Sequence, residues 1–312
     1  MRFLVVFWFF VSTAIADDGK SLSGLQWLEK VDQAMRNLSY HGTVVLLKNG
    51  QLDTMKYKHG FEDGIEVETL SSLNSPLREV TRRANEISCL YKESSQKVDG
   101  HQPIDRSFIV NLPRHFDNLD GQYLVAVADQ EMVAMRPARM VAVLPKDELR
   151  YARKIWVDSE NYLPLKLEVY GLDGHAIEQV VFTELAVDGL SATADMAKPT
   201  SDHQHHQHHL TAEDFDKSAF QLKSWPKGFE TVFFIRNMMQ KGRKSVDHLL
   251  ISDGFSSISV YFEAKGEHPV EGHRNLGSVN SFSKVLDNWQ ITVLGEVPAK
   301  TVELVAAGVA LR

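Results

Sequence analysis

The hydrophobic pattern of this chain has a helical period once near its start and a strand period almost everywhere after it. In "GLQWLEKVDQAMRNL", Leu25, Leu28, Val31, Met35 and Leu38 recur three and four residues apart, which puts them on one face of a single amphipathic helix. From "HGTVVLLKNGQLDTMKYKHG" onward, short β-rich runs take over, bounded by Gly, Pro, Asn or Ser. Asn49-Gly50 between the first two runs predicts a tight hairpin, because both residue types tolerate the positive φ that such a turn needs. "GIEVETLSSL", "SPLREVTRRA" and "EISCLYKES" follow. "QYLVAVADQEMVAMRPARMVAVLP" and "YARKIWVDSENYLPLKLEVYGLDGHAIEQVVFTEL" then extend the series. With no βαβ alternation, this predicts one large antiparallel sheet in an α+β protein. The single helix could lie on the sheet's concave face or leave part of that face open as an apolar groove, and both arrangements stay open. The interruption at 94–121 is expected to supply short helices or a flap over the same face.

The pattern dissolves after the last of these runs and then restarts. Between Ala186 and Ser224 small, polar and His-rich residues lack any period and bury too little apolar surface to offset chain entropy. "WPKGFETVFFIRNMMQKG", "SVDHLLISDG", "SSISVYFEAKG" and "SVNSFSKVLDNWQITVLGEVP" bring strands back. "AKTVELVAAGVALR" places Val302, Val305, Ala306 and Val309 on one face of a closing helix. The expected organisation is a large sheet domain over 17–190, a His-rich linker over 191–224 and a small α+β domain over 225–312. Ahead of them, Arg2, the apolar run Phe3–Val11 and Ala14-Ile15-Ala16 have the layout of a secretory signal peptide over 1–16.

Composition narrows the chemistry. Without Arg2 the chain carries 33 basic and 41 acidic residues, with net charge near +1 from Trp225 onward and −9 before it. Neither part has the basic excess of a nucleic-acid binder, so no nucleic acid is expected as a partner. A single cysteine, Cys89, excludes an internal disulfide, and a buried inert thiol is its expected state. Five of thirteen histidines (His203, His205, His206, His208 and His209) fall in the aperiodic linker. A structural metal site needs ligands held on ordered elements, so these read as a solvated joint, and no metal or cofactor is expected. No nucleophile elbow, phosphate loop or dinucleotide fingerprint occurs, and no enzyme activity is expected.

Two clusters stand out. Arg136, Arg139, Lys146, Arg150, Arg153 and Lys154 crowd into an otherwise acidic half. They read either as solvated strand faces or as an anion-facing rim toward lipid phosphates. In "FETVFFIRNMM", Phe229, Phe233, Phe234, Met238 and Met239 read either as core or as a face presented to a partner protein, for which Phe229, Phe233, Arg236, Met238 and Met239 are the candidate contacts.

Four stretches in register resemble one known family. "WLEKVDQAMRNLSYHGTVVLLKNG" with Tyr40, Gly42 and Thr43 is similar to the opening of the RseB/MucB proteins. The hairpin with Asp158, Leu163–Lys166, Gly171 and Gly174 looks like theirs, and Trp225, Pro226, Gly228 and Phe229 look like the entry to their second domain. "ITVLGEVP" is similar to their closing strand. The His-rich linker is a departure. The resemblance implies a large domain like the LolA lipoprotein carriers, an open half-barrel, joined to a smaller domain. It implies a periplasmic negative regulator of the sigma-E envelope-stress response. Such a protein binds the periplasmic part of an anti-sigma factor (RseA or MucA) and shields it from proteolysis until lipid or lipopolysaccharide releases it. A homodimer is left open. The alternative is a periplasmic lipid or lipoprotein carrier of the LolA type.

Overall fold

A computed structural model describes residues 22–48, 50–74, 78–83, 86–91, 96–101, 107–113, 115–117, 119–188, 213–238 and 245–312. The expected signal peptide and the His-rich run lie outside the described residues, as does the side chain of Cys89.

The helix α1 (Gly24–Asn37) starts where the sequence supplies a cap. Ser23 Oγ accepts from the Gln26 amide at 3.3 Å while the Gln26 side chain accepts from the Ser23 amide at 2.8 Å, a reciprocal capping box. Eleven strands follow: β1 (Ser39–Lys48), β2 (Gln51–Glu62), β3 (Ile65–Ser72), β4 (Arg78–Arg83), β5 (Glu86–Tyr91), β6 (Gln96–His101), β7 (Tyr123–Val133), β8 (Arg136–Pro145), β9 (Ala152–Asp158), β10 (Pro164–Tyr170) and β11 (Ala176–Asp188). They form one antiparallel sheet in the order β6-β5-β4-β3-β2-β1-β11-β10-β9-β8-β7. Two meanders are therefore zipped together by a single long-range pairing, Ser39↔Asp188 through Lys48↔Glu178. The expected large antiparallel sheet with one helix is present.

Trp27, Leu28, Val31 and Met35 of α1 share one core with residues of seven neighbouring strands, among them Tyr40, Tyr57, Phe182, Leu167, Ile155, Val141 and Tyr123. Laid flat, those strands would spread over about 29 Å. The helix, about 21 Å long, runs across them, from Gly24 against Val125 of β7 to Met35 beside Tyr40 and His59 of β1 and β2. Of the Asn49-Gly50 signal, Asn49 lies outside the described residues; Gly50 takes φ 71°, and Lys48 stands opposite Gln51. The β7–β8 turn had no such signal: Ala134 and Met135 take φ 51° and 60° without a glycine. The interruption after β5 holds a further strand, β6, then an irregular strap over 107–113 and a single 3-10 turn, Leu119–Gly121.

The second unit contains β12 (Phe220–Leu222), β13 (Glu230–Met238), β14 (Val246–Ser252), β15 (Ser257–Ala264), β16 (Gly272–Leu276), β17 (Val279–Leu286), β18 (Trp289–Gly295), α2 (Ala299–Gly308) and β19 (Val309–Leu311). Six of these strands form a sheet in the order β13-β14-β15-β18-β17-β16. Val302, Val305 and Ala306 of α2 pack into its core with Phe234, Leu249, Ile258, Phe262 and Val293. Two expectations need correction. The unit begins before residue 225, since Phe215, Phe220 and Leu222 belong to its core and β12 pairs with β19. The closing helix ends at Gly308, so Val309 lies on that paired strand instead.

Gly42, in β1, shows how tightly the two meanders are closed. A Cβ there would lie 2.2 Å from the Glu184 carbonyl oxygen and 3.0 Å from the Phe182 ring, so Gly42→Ala should cost about 1–3 kcal/mol. A Cβ at Gly60 meets nothing nearer than Ser39 Oγ at 3.5 Å, and Gly60→Ala should be close to neutral. Urea unfolding of the full chain compares the two.

Candidate functional site

The two sheets meet through a polar junction built largely by the loop between β8 and β9. Arg150 in that loop is 0 % exposed. Its Nε donates to Asp253 Oδ2 at 2.7 Å, and its other N–H groups reach Asp147 and the Lys227 carbonyl. The guanidinium carbon lies 5.0 Å from the centroid of the Phe229 ring and 5.7 Å from that of Tyr123. Asp253 is as fully occupied. The Tyr123 hydroxyl donates to it at 2.6 Å, and the amides of Phe255 and Ser256 donate to Oδ1 at 3.1 and 2.8 Å. Burial, then the Asp253 charge, pushes the Tyr123 hydroxyl far up, so it stays a donor.

Further contacts repeat the scheme across the junction. Arg153 donates to Ser256 Oγ at 2.9 Å and Asn280 to Tyr151 Oη at 2.9 Å, while Asn280 is held within its own unit by donating to the Val297 carbonyl at 2.8 Å. Lys48 pairs with both Glu178 and Glu296, at 2.9 and 2.8 Å. Burial pulls the Lys48 ammonium down, but these two carboxylates more than offset it, and its pKa ends above the ordinary lysine range. Backbone fit adds to this: Gly254 has φ 93°, and a Cβ there would sit 2.3 Å from Pro113 Cα.

Beside this junction lies a groove of about 850 Å³, with Leu112, Pro113 and Gln122 on one wall and Glu230, Val232 and Leu250 on the other. The first residues of β13, Glu230 to Val232, are exposed there. Further along, the Phe234 carbonyl accepts from the Glu213 amide at 2.7 Å, so the outer edge of β13 is already used at that point. Asp117, Asp120 and Glu230 outnumber Lys227 around the groove, which makes it acidic. Among the described residues that line it, none has the geometry of a nucleophile with its base.

The arginine cluster does not form one rim. Successive strand residues point to opposite faces, and β8 and β9 divide the cluster accordingly. Arg139 and Arg153 share the inner face with Val141, Val143, Ile155 and Val157, while Arg136 and Lys154 share the outer face with Ala138, Met140 and Trp156. Arg150 and Arg153 are buried in the junction, which removes both from any exposed rim. Arg136 is folded onto Asp158, and the Lys154 ammonium lies 4.6 Å from the centroid of the Tyr170 ring. Lys146, in the β8–β9 loop, donates to the Asp120 carbonyl.

The second cluster is mostly interior. Phe229 belongs to the core of the second unit, and Phe233 packs with Ile235 and Leu250 on the other face of the same sheet, so neither is free to grip a partner. Arg236 donates to the Lys217 carbonyl at 2.8 Å and pairs with Glu213, fastening the start of this unit to β13. Met238 lies in β13 opposite Val246 with its side chain outside the described residues, and Met239 is itself outside them. Sequence reasoning missed Tyr123, Asp253 and Asn280, whose partners across the junction lie more than a hundred positions away. Asp253-Gly254 signalled only a turn.

Comparison with known proteins follows this two-part architecture. The MucB/RseB N-terminal domain matches residues 23–207, and the MucB/RseB C-terminal domain matches residues 214–310. The chain belongs to the MucB/RseB family. It is 26% identical to the sigma-E factor regulatory protein RseB of Salmonella typhimurium, over 97% of this chain and 94% of that one. It is 29% identical to the sigma factor AlgU regulatory protein MucB of Pseudomonas aeruginosa, over 91% and 89%. Its structure aligns with MucB in the Pseudomonas aeruginosa MucA/MucB complex at a TM-score of 0.71 and 26% identity, covering 93% of this chain and 99% of that chain. The family boundary at 214 agrees with the early start of the second core.

Two outcomes follow for this MucB/RseB protein. Arg150→Met leaves Asp253 buried without its cation and should cost about 3–5 kcal/mol. Its urea unfolding should split into two transitions as the junction fails, where the parent shows a more concerted one. The second concerns His248, stacked on Tyr261 with ring centroids 4.3 Å apart and edge-on to Phe233 at 5.0 Å. Its Nε2 is buried without a partner, and burial pushes the imidazole down to about 4. The unfolded chain then binds the proton more readily than the folded one. Stability should be fully present above about pH 6.5 and fall by roughly 3 kcal/mol as pH drops toward 4. In His248→Phe, unfolding midpoints measured against pH should lose that slope.

Proposed function

We propose that this chain is a periplasmic negative regulator of the sigma-E envelope-stress response. It binds the periplasmic part of a membrane-anchored anti-sigma factor of the RseA/MucA kind and shields it from regulated proteolysis. A lipid or lipopolysaccharide signal ends that protection. The observation that carries this reading is the alignment along 93% of the chain with MucB from a MucA/MucB complex. Matches to both family domains, in order, support it. The reading assigns no catalysis to the protein.

The junction groove is the surface we assign to the anti-sigma segment. It spans both units, and the exposed start of β13 offers strand pairing to an extended chain. Its acidic rim favours a segment with basic side chains. The lipid signal is assigned to the inner face of the large sheet. Of the six cationic residues singled out from the sequence, Arg139 is the one on that face that is not buried, and it is the candidate for meeting an anionic headgroup.

Val232→Asp tests the groove, because Val232 is 37 % exposed and the substitution leaves both cores intact. Titration with the periplasmic segment of the anti-sigma factor should show affinity lowered by about tenfold or more, a loss typical of one central interface residue. Thermal stability should be unchanged. Protection of that segment from its protease should fall in parallel. Affinity and protection equal to the parent's would place the grip elsewhere.

A further inference from the structure

The order of the large sheet forces an unusual path on one connection. The chain leaves the sheet at one edge, β6, and re-enters at the opposite edge, β7, and the described part of the connection runs from Glu68 of β3 to the 3-10 turn before β7. Residues 107–113 make part of that connection on the inner face, where they meet three different environments in seven residues.

At its first end the strap is held by a buried carboxylate. Glu68 is 0 % exposed, and its Oε1 accepts from Ser107 Oγ at 2.7 Å, from the Phe108 amide at 2.8 Å and from Tyr57 Oη at 2.7 Å. Arg82 Nε donates to the other oxygen at 3.0 Å. Ser107 Oγ also accepts from the Ile109 amide at 3.1 Å, which turns the chain inward. In the middle, Ile109 and Val110 are buried in the core that α1 shares with the sheet. At its far end, Pro113 lies against Gly254, and Leu112 and Pro113 form a wall of the junction groove.

The strap's own hold on the sheet is modest. Among the described residues, no backbone ladder joins 107–113 to a strand. Asn111 Oδ1 is buried without a partner beside a polar cavity of about 40 Å³, which Asp32, His59, Glu66 and Arg82 also line. Ile109 and Val110 are thus apolar side chains on the face assigned to lipid, held there by their own burial, which an acyl chain could replace, and by one carboxylate's grip on Ser107 and Phe108. The same seven residues reach the Asp253–Ser256 turn, whose amides the Asp253 carboxylate organises.

We propose that residues 107–113 are a displaceable strap that couples the inner face of the large sheet to the junction groove. An acyl chain entering that face takes the place of Ile109 and Val110, the Glu68 latch opens, and Pro113 withdraws from Gly254. The groove then loses one wall, so a ligand on one side of the molecule lowers affinity for a segment bound on the other. This rests on the proposed assignment of lipid to the inner face and of the anti-sigma segment to the groove. The coupling itself can be tested without either ligand.

Hydrogen–deuterium exchange on the full chain reads it. Ser107→Ala removes a donor to Glu68, and the amides of 107–112 should exchange about tenfold faster, the scale of one hydrogen bond to a charged group. Amides 253–256 should accelerate with them by at least severalfold, although they lie in the other unit. Ser107→Thr, which keeps the hydroxyl, should restore both segments. A lauroyl lysophospholipid below its critical micelle concentration should reproduce both changes in the parent. Acceleration confined to 107–113 in Ser107→Ala overturns the proposal, as does lysophospholipid binding that leaves 107–113 protected. Should the variant behave as expected while the lysophospholipid fails to bind, the coupling stands and the assignment of lipid to this face falls.

Discussion

Arg150 with Asp253 is the contact on which the arrangement of the molecule depends. Each sheet has its own apolar core, and Phe255 of the second unit is buried in that of the large sheet, edge-on to Tyr123. What sets the exact relation beside that contact is a guanidinium withdrawn from water in one unit and a carboxylate withdrawn from water in the other. Such a pair adds little net stability over an apolar contact of the same shape, because desolvation offsets most of the attraction. It is intolerant of misplacement, however. If the units shift by a few ångströms, two buried charges lose their partners together. Tyr123, Asp147 and the Lys227 carbonyl complete the coordination, so the junction has one satisfied arrangement and its neighbours are costly.

The large sheet divides its inner face by chemistry. The strands from β7 through β11 to β1 present valine, leucine, isoleucine and aromatic side chains to α1. The wing made by β2, β3 and β4 instead buries His59, Glu68 and Arg82 beside the half-buried Glu66, linked to Tyr57 and Tyr40. A hydrogen bond from His59, reinforced by Arg82 against the opposing effect of burial, holds the Glu66 carboxyl at about 2. That wing is consequently a fixed pattern of donors and acceptors, where the rest of the face is an apolar surface that accepts many shapes.

The sequence carried the periods, and the periods carried the fold. Leu28, Val31 and Met35 announced the helix, and Asn49-Gly50 announced the first hairpin. Four weak stretches in register pointed to the family. The arginine cluster was legible only in part. Arg153 has the parity of Ile155 and Val157, so strand alternation already set it against the core, but nothing local revealed that Arg150 would find Asp253 across 103 positions. Phe220 was hidden differently. It lies in a polar stretch whose few apolar residues show no period, and its burial depends on β19 at the far end of the chain. Pairings of that kind leave no trace in a short window.

The joining of β1 to β11 also bears on how the molecule is made. Ser39 pairs with Asp188, and every contact between those strands spans well over a hundred residues. Contacts so distant in sequence are slow to form, because loop-closure entropy is lost before any pairing is gained. A chain that emerges from its N-terminus can zip β1 to β6 as a meander, yet the outer edge of β1 stays bare until β11 arrives. During that interval Val44 and Phe182, which end up in one core, are apart, and an unpaired hydrophobic edge is open to any other strand. The architecture that gives the finished protein one continuous sheet thus leaves the nascent one with an open seam until its last strand arrives.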